Sequence, residues 1–258
     1  MSTGVEISVV DAVQVIRFAR PEKKNALTGA TYTAITGALA AGDASHDVAA
    51  HLFVGSNGVF TAGNDIGDFL ASATGAQGLS DPVLGFLRAL PAVKKPMIAA
   101  VDGLAVGIGT TLMFHCDLVY ATPAASFRTP FVDLGLVPEA GSSLLAPRVM
   151  GYARAFELLV LGQPFTGEAA HAAGFVNAVV AVADLEASAM AAAVRLARKP
   201  PDALLAARRL MRGSVDDVSR AIEDEVRIFA ERMRSPEANE AFTAFMEKRA
   251  PDFQKLRG

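Results

Sequence analysis

Two glycine-containing turns could direct backbone N–H groups at an atom that gains negative charge. They are FTAGND at residues 60–65 and GLAVGIG at residues 103–109. Each is predicted to open a helix, where the first amides have no partner within the helix and lie at the positive end of its dipole. Together the two turns could donate to one oxygen. Loss of the proton beside a thioester carbonyl creates such an oxygen, and one prepositioned donor stabilises the transition state by about 2.7–4 kcal/mol.

Other interpretations of these turns stay open. Either turn alone is typical of an ordinary loop, because glycine is common wherever the backbone turns tightly. Residues 107–109 could also begin a dinucleotide-binding fingerprint, since they follow a predicted strand and open a helix. The position of the third glycine of that fingerprint holds Leu112. The sequence therefore disfavours a nicotinamide-dependent enzyme.

Glu139 is the candidate general base. It follows Pro138 in a stretch whose apolar residues, Leu136 and Val137, could keep water away. Burial raises the pKa of a carboxyl group, and a carboxylate in a dry pocket can take up a proton and return it. On its spacing alone, however, Glu139 is more typical of a solvated carboxylate near a helix N-terminus.

The remaining polar residues indicate no second catalytic centre. The serines at 142 and 143 lack the G-x-S-x-G pattern that surrounds a nucleophile. The four histidines lack the spacing of metal ligands, and no metal site is predicted. These histidines are His46, His51, His115 and His171.

Alternating strands and helices must position the two turns. Apolar residues alternate with polar ones at 5–9 and again at 13–18, which predicts a β-hairpin. Residues 28–39 have a helical period that begins at Thr28, a typical N-cap. Helices are also predicted at 66–70 and 110–115, the second between strands at 97–101 and 118–120. This alternation predicts an α/β fold with mostly parallel strands.

The end of the chain is predicted to be helical. Pro200 and Pro201 interrupt the pattern, since proline breaks a helix interior, and we divide the chain into 1–199 and 200–258. The helical part carries Arg208, Arg209 and Arg212 among mixed charges. Such a cluster is more typical of a solvated face than of a phosphate site.

Composition restricts the class of protein. The chain has 258 residues, 52% of them hydrophobic, which is enough to bury a large core. A net charge of −3, with acids and bases interspersed, argues against a nucleic-acid partner. The N-terminus lacks a signal-peptide pattern, and no stretch approaches the roughly 18 apolar residues of a membrane span. We expect a cytoplasmic protein without a membrane segment, and its single cysteine, Cys116, agrees with a reducing compartment.

Seven segments, in order, resemble the crotonase superfamily of enoyl-CoA hydratases and isomerases. ARPEKKNALT is similar to its R-P-x-x-x-N-A-L segment, FTAGNDIGDF to its F-x-A-G-x-D motif, and VDGLAVGIG to its N-G-x-A-x-G-x-G turn. The other four are CDLVYAT, LGLVPEAGSSLLAPRVMG, FTGEAAHAAGFVNAVV and EAFTAFMEKRAPDF. The resemblance covers nearly the whole chain.

The resemblance implies a spiral of ββα units followed by a helical C-terminal region. It implies an acyl-CoA thioester as the substrate, no separate cofactor, and a homotrimer or a dimer of trimers. Residues 1–199 would then form the acyl-CoA-binding core, and residues 200–258 would serve oligomerisation and cover the active site. By position, the two oxyanion donors are the N–H groups of Asn64 and Ile108.

The resemblance also bears on the reaction. Hydratases of this superfamily use two glutamates, and the matching positions hold Thr111 and Phe131, which cannot activate water. Glu139, together with Thr129-Pro130-Phe131, resembles the isomerases that convert 3-enoyl-CoA to 2-enoyl-CoA with a single glutamate. We therefore expect an isomerase with Glu139 as its base. A hydratase, another crotonase-type thioester reaction and a non-catalytic acyl-CoA binder stay as alternatives.

Coenzyme A contacts are implied around the first segment and the first turn, and the C-terminal segment is implied to reach the ligand of a neighbouring subunit. Asp65 is also typical of a cap at a helix start. The implied contact residues are Lys24, Ala26, Ala62, Asp65, Ile66 and Phe131, with Phe245 and Lys248 at the C-terminus.

Overall fold

Two β-sheets form the framework of the chain, whose computed structural model describes residues 3–65, 67 and 79–256. The strands, in chain order, are β1 (Val5–Val10), β2 (Val13–Phe18), β3 (Ala50–Val54), β4 (Val59–Thr61), β5 (Met97–Val101), β6 (Leu104–Val106), β7 (Leu118–Ala121), β8 (Ser126–Arg128), β9 (Phe165–Thr166) and β10 (Ala178–Val179).

The α-helices of the described residues are α1 (Gly29–Ala44), α2 (Asp81–Ala89), α3 (Ile108–Thr111), α4 (Ser142–Met150), α5 (Tyr152–Leu159), α6 (Gly167–Ala173), α7 (Leu185–Ala197), α8 (Pro201–Arg212), α9 (Val215–Met233) and α10 (Pro236–Met246). Short 3₁₀ helices lie at Pro21–Lys23, Leu90–Ala92, Leu112–His115, Val132–Leu134, Val182–Asp184 and Phe253–Leu256.

The chain winds repeatedly through both sheets. The larger sheet has the strand order β1-β2-β3-β5-β7-β10, and the smaller one has the order β4-β6-β8-β9. β1 pairs antiparallel with β2, and β3, β5 and β7 pair in parallel. β4, β6 and β8 also pair in parallel. From β3 onward, each successive pair of strands places one strand in each sheet, which confirms the predicted α/β spiral of ββα units.

The N-terminal hairpin and the first helix are confirmed. Val10 pairs with Val13, so Asp11 and Ala12 form a two-residue turn, and both have positive φ values of 50° and 63°. Such a turn follows the natural twist of a hairpin. α1 begins after Thr28, whose side chain accepts from the backbone of Thr31 while the Thr31 side chain accepts in return, a reciprocal cap.

Both faces of the central strands β3 and β5 are buried, which explains why these strands are apolar apart from His51. One face joins α1 in a large apolar cluster that includes Ile16, Phe18 and Phe53. The other face lies beneath α7, where Val15 and Leu52 belong to a second cluster. The alternation along β2 therefore sorts its side chains between two cores.

The structure corrects the prediction for both glycine turns. Residues 60–61 and 104–106 lie in strands β4 and β6, and the predicted helix at 110–115 is α3 (Ile108–Thr111) followed by a 3₁₀ helix at Leu112–His115. Three-residue strands are too short to show a period, and the glycines that flank them favour a turn in any local interpretation. The helix predicted at 66–70 lies outside the described residues except for Gly67.

The C-terminal helices pack onto the core. Val218, Ile222 and Phe229 of α9 are buried in the same apolar cluster as the larger sheet. The division at 199/200 stays a prediction. No helix among the described residues is both long enough and apolar enough to cross a bilayer.

Candidate active site

The two glycine turns lie side by side because the strands that lead into them are paired. β4 and β6 run parallel, and each passes directly into its turn. The turns approach closely, since a Cβ atom on Gly63 would lie 2.8 Å from the carbonyl oxygen of Val106. Neighbouring parallel strands end at the same edge of a sheet. The amides of Asn64 and Ile108 are therefore brought to one region.

The N–H groups of Asn64 and Ile108 are available to a ligand. Ile108 is the first residue of α3 and follows Gly107, whose φ of 57° and ψ of −120° suit glycine alone. Leu27 pairs with the residues on either side of Asn64 and leaves the Asn64 amide out of the ladder. In the described part of the chain, neither amide has a hydrogen-bond acceptor. Both can donate to an oxyanion.

Glu139 lies out of water. Its exposed fraction is 6%, and the Thr111 hydroxyl donates to its Oε1 over 2.5 Å. Burial raises the pKa of the Glu139 carboxyl to about 8; the Thr111 hydrogen bond opposes this rise, and the charge of Glu225 adds to it. A carboxyl group with such a pKa is a far stronger base than an ordinary glutamate.

Two side chains connect this carboxyl to the oxyanion donors. Thr111 belongs to α3, the helix that begins at Ile108. Tyr32 of α1 is buried and donates to the side-chain oxygen of Asn64. Burial, and secondly the charge of Glu139, raise the pKa of the Tyr32 hydroxyl. The base and the two amides therefore form one cluster.

The segment that carries the base is held in an unusual conformation. Ala140 and Gly141 both have positive φ values, 60° and 70°, which an alanine adopts only when its surroundings require it. The buried carboxylate of Glu225 on α9 accepts from the Gly141 amide at 2.6 Å and from the amide and hydroxyl of Ser143 at 2.9 and 2.5 Å. On the other side, His115 Nε2 lies 2.6 Å from the Ala140 carbonyl oxygen. These contacts fix the direction of Glu139.

Four of the eight predicted coenzyme A contacts lie along one edge. The Ala62 amide donates to the Lys24 carbonyl oxygen at 2.9 Å, and Arg20 donates to the Ala26 carbonyl oxygen at 2.8 Å. Arg20 also pairs with Asp65, whose carboxylate accepts from the backbone of the next residue but one, as expected of a cap. These predicted residues are thus brought together, next to the first oxyanion turn.

The other predicted contacts are less closely grouped. Phe131 is buried in the core cluster. Phe245 on α10 and Lys248 beyond it are exposed. The Lys248 amide donates to the Phe245 carbonyl oxygen at 3.2 Å, and among the described residues neither hydrogen-bonds to any other predicted site residue. Ile66 lies outside the described residues. Within those residues, no group of three or more potential ligands is arranged to hold a metal ion.

Three residues at this site were not among the predicted functional residues: Tyr32, His115 and Glu225. Tyr32 fits the apolar face of α1, and nothing in its spacing indicates a polar role. The sequence does contain a sign that Glu225 has a special role, because this carboxylate interrupts an otherwise apolar stripe at helical spacing. That buried stripe consists of Val218, Ile222, Glu225, Phe229 and Met233.

Comparison with known proteins agrees with this geometry. Residues 9–256 match the enoyl-CoA hydratase/isomerase family. The chain is 31% identical over 253 residues to enoyl-CoA delta isomerase 2 of Rattus norvegicus, a match covering 96% of the chain and 64% of the rat protein's length. It is 34% identical over 242 residues to the probable enoyl-CoA hydratase echA8 of Mycobacterium leprae, covering 93% and 94% of the two chains.

A solved structure supports the same relationship. The crystal structure of an enoyl-CoA hydratase/isomerase from Pseudoalteromonas atlantica T6c matches with a TM-score of 0.91 and 37% identity, over 97% of this chain and 99% of that one. Both hydratase and isomerase names thus occur among the relatives. Since the match extends over nearly every residue, the chain belongs to the enoyl-CoA hydratase/isomerase family.

Proposed function

We propose that the protein shifts the double bond of a 3-enoyl-CoA to the 2-position, with Glu139 as the single base. The observation that carries this proposal is one buried carboxyl group, that of Glu139, which accepts a hydrogen bond from Thr111. Thr111 belongs to α3, the helix whose first amide, that of Ile108, is a proposed oxyanion donor. The positions at which hydratases of the family carry glutamates hold Thr111 and Phe131.

The proposed reaction moves one proton. The thioester oxygen accepts from the Asn64 and Ile108 amides, which stabilise negative charge on that oxygen. Glu139 removes the proton from C2, the electrons of that C–H bond delocalise into the dienolate, and the proton returns at C4 as the double bond forms between C2 and C3. The carboxylate is regenerated, and no other reactant is consumed.

Water must be kept from the dienolate for this reaction to succeed. Ile108, Phe131 and Leu136 are buried in one apolar cluster around this part of the fold. The same apolar surroundings oppose ionisation of Glu139, so its pKa of about 8 leaves it largely protonated at neutral pH in the ligand-free protein. We expect kcat/KM to rise with pH until Glu139 is ionised.

The direct test is incubation with short, medium and aromatic 3-enoyl-CoA thioesters, with products separated by chromatography. Appearance of 2-enoyl-CoA supports the proposal. In heavy water, retention of protium at C4 in part of the product would further support transfer by one carboxyl. No turnover of any of these substrates would exclude the isomerase.

Hydration is the second candidate, favoured by hydratase names among the relatives. Incubation with crotonyl-CoA and measurement of the 3-hydroxyacyl product decides it. Binding of these thioesters without either reaction would instead indicate a non-catalytic acyl-CoA binder.

Thr111→Val is expected to move the acidic limb of the kcat/KM profile to higher pH. The Thr111 hydroxyl stabilises the ionised carboxylate and so lowers the pKa of Glu139; removing it should raise that pKa by about one unit. At pH 7 the rate should fall about tenfold. Thr33→Val, on the exposed side of α1, is the control. An unmoved limb contradicts the assignment of Thr111.

Glu225→Gln is expected to move the same limb to lower pH, by on the order of half a unit. The charge of Glu225 raises the pKa of Glu139, and the amide removes that charge while keeping an acceptor for Gly141. Profiles measured between pH 6 and 10 separate this role from a purely structural one. A structural role alone would lower the rate at every pH without displacing the limb.

We also propose that the protein assembles as a homotrimer or a dimer of trimers. The resemblance to the family implies this assembly, and several large apolar side chains that are more than 40% exposed are available for contacts between subunits. They include Tyr152, Phe156, Leu161, Leu210, Met211 and Phe245. Light scattering coupled to size-exclusion chromatography measures the assembly, and a monomer at micromolar concentration would contradict it.

A further inference from the structure

A cleft of about 640 Å³ lies between residues 91–94 and helix α8, and it extends to the start of α9. Among the described residues, none of those predicted to be catalytic or to bind coenzyme A lines it. Its walls combine the apolar side chains of Leu205 and Val215 with the arginines of α8. The cleft is large enough for a small organic molecule.

Arg208 lies in the wall of this cleft, and one nitrogen of its guanidinium group has no hydrogen-bond partner among the described residues. Its side chain is 8% exposed. Nε donates to Asp117 at 2.8 Å, and Nη1 donates to the carbonyl oxygens of Val93 and Lys94 at 2.6 and 3.0 Å. Nη2 is buried and has no partner among the described residues. A buried N–H donor without an acceptor is rare in folded proteins.

Arg212 has the same deficiency. It follows Arg208 by four residues, so both side chains lie on one face of α8. Its Nη1 is buried without a partner, and its Nη2 lies 3.5 Å from Nδ1 of His115. Burial lowers the pKa of His115 to about 3, so this ring is neutral. No carboxylate of the described residues pairs with Arg212, because Asp117 is engaged by Arg208 and by the Met97 amide.

The cleft consequently carries an excess of positive charge. Four cationic side chains line it, whereas one carboxylate lies on its wall and one behind it; they are Lys94, Arg208, Arg209 and Arg212, with Asp202 and Asp117. A buried arginine keeps its positive charge, because a guanidinium group does not lose its proton in a protein. Arg208 is paired with Asp117, whereas the partly exposed Arg212 has no carboxylate partner among the described residues. An anion in the cleft would therefore be stabilised by Arg212.

We propose that the cleft binds a phosphate monoester, whose phosphoryl group lies between Arg208 and Arg212 and accepts from their free N–H groups. A phosphate monoester carries a charge of nearly −2 at pH 7 and three acceptor oxygens, which matches both the excess charge and the two free donors. The apolar wall then accommodates the organic part. From the sequence alone these arginines favour a solvated face; the buried, unpartnered nitrogens change that interpretation.

Binding is tested by thermal unfolding and calorimetry with inorganic phosphate and glycerol phosphate, using acetate and chloride at matched ionic strength as controls. We expect a saturable rise in Tm of about 4 °C or more with either phosphate compound. Arg212→Met should abolish it and, since it removes an unpaired charge, should not lower Tm in phosphate-free buffer. Arg209→Met, with an exposed guanidinium on the same helix, should retain the response.

Coenzyme A also carries a phosphate monoester, and comparison with 3′-dephospho-coenzyme A identifies the source. If Arg212→Met weakens the binding of coenzyme A but not that of 3′-dephospho-coenzyme A, the site belongs to the substrate of a neighbouring subunit. If the variant binds coenzyme A as tightly as the wild type does, the site belongs to a separate small molecule. The proposal is overturned if phosphate gives no saturable response, if acetate gives the same response, or if Arg212→Met responds like the wild type. It is also overturned if Arg212→Met changes only the oligomeric state, because a partner's carboxylate then fills the cleft.

Discussion

Replacing Glu139 by glutamine is expected to lower kcat/KM for 3-enoyl-CoA isomerisation by about 100-fold or more, the usual cost of losing a positioned general base. The amide has nearly the same shape and can still accept from Thr111, but it cannot take a proton from C2. No other carboxylate among the described residues is placed to substitute for it, since Glu225 is engaged by Gly141 and Ser143. The measurement is steady-state kinetics near pH 8.

Thermal stability provides the control for this variant. The pKa of the Glu139 carboxyl is about 8 in the folded protein, against 4.5 for an ordinary glutamate. Its contribution to folding is therefore fully present below pH 4.5 and is lost as the pH rises through about 8. The Glu139→Gln variant has no carboxyl group to ionise and so does not lose this stability. Its Tm should exceed that of the wild type at pH 9. Activity within a few-fold of the wild type in a folded variant would exclude Glu139 as the base.

Gly63→Ala is expected to reduce kcat by about 100-fold, comparable to the loss of one oxyanion donor. The φ of Gly63 is 86°, and an added Cβ would lie 2.8 Å from the Val106 carbonyl oxygen. The two turns must separate to admit a methyl group. Because the next residue carries the donor amide, that separation moves the Asn64 N–H away from the oxygen it should contact. Binding of the coenzyme should change less than kcat.

Gly37→Ala is the matched control. It is the same chemical change in α1, where the added methyl group would meet nothing within 4 Å. Alanine is favoured over glycine in a helix by about 1 kcal/mol, so this variant should be active and slightly more stable. Circular dichroism establishes that both variants are folded at the assay temperature. A folded Gly63→Ala variant with normal kcat would contradict the oxyanion role of the first turn.

Much of the fold follows from local sequence. Alternation predicts the hairpin, and Thr28 predicts the start of α1, because both features depend on residues a few positions apart. The second sheet could not be predicted in this way. Strands β4 and β6 have three residues each, and their pairing depends on the spiral returning to the same place. The resemblance to a known family predicted the spiral that local patterns did not.

The residues of the candidate site also fall into two groups, those that the sequence predicts and those that it does not. Segment matches predict Asn64, Ile108 and Glu139 as site residues, because their proposed roles depend on motif position. The residues that hold them depend on long-range contacts: Glu225 lies 84 positions from Gly141. The positive φ of Ala140 is likewise invisible in the sequence, since alanine has no preference for that conformation.

The attachment of the base segment to α9 affects the order of events during synthesis. Both oxyanion turns and Glu139 emerge from the ribosome well before Glu225 does. Until α9 has been made, Ala140 and Gly141 lack the carboxylate that holds their strained backbone, so a nascent chain carries every reactive group without a working arrangement of them. Premature termination before α9 should therefore yield products that cannot abstract protons from cellular thioesters.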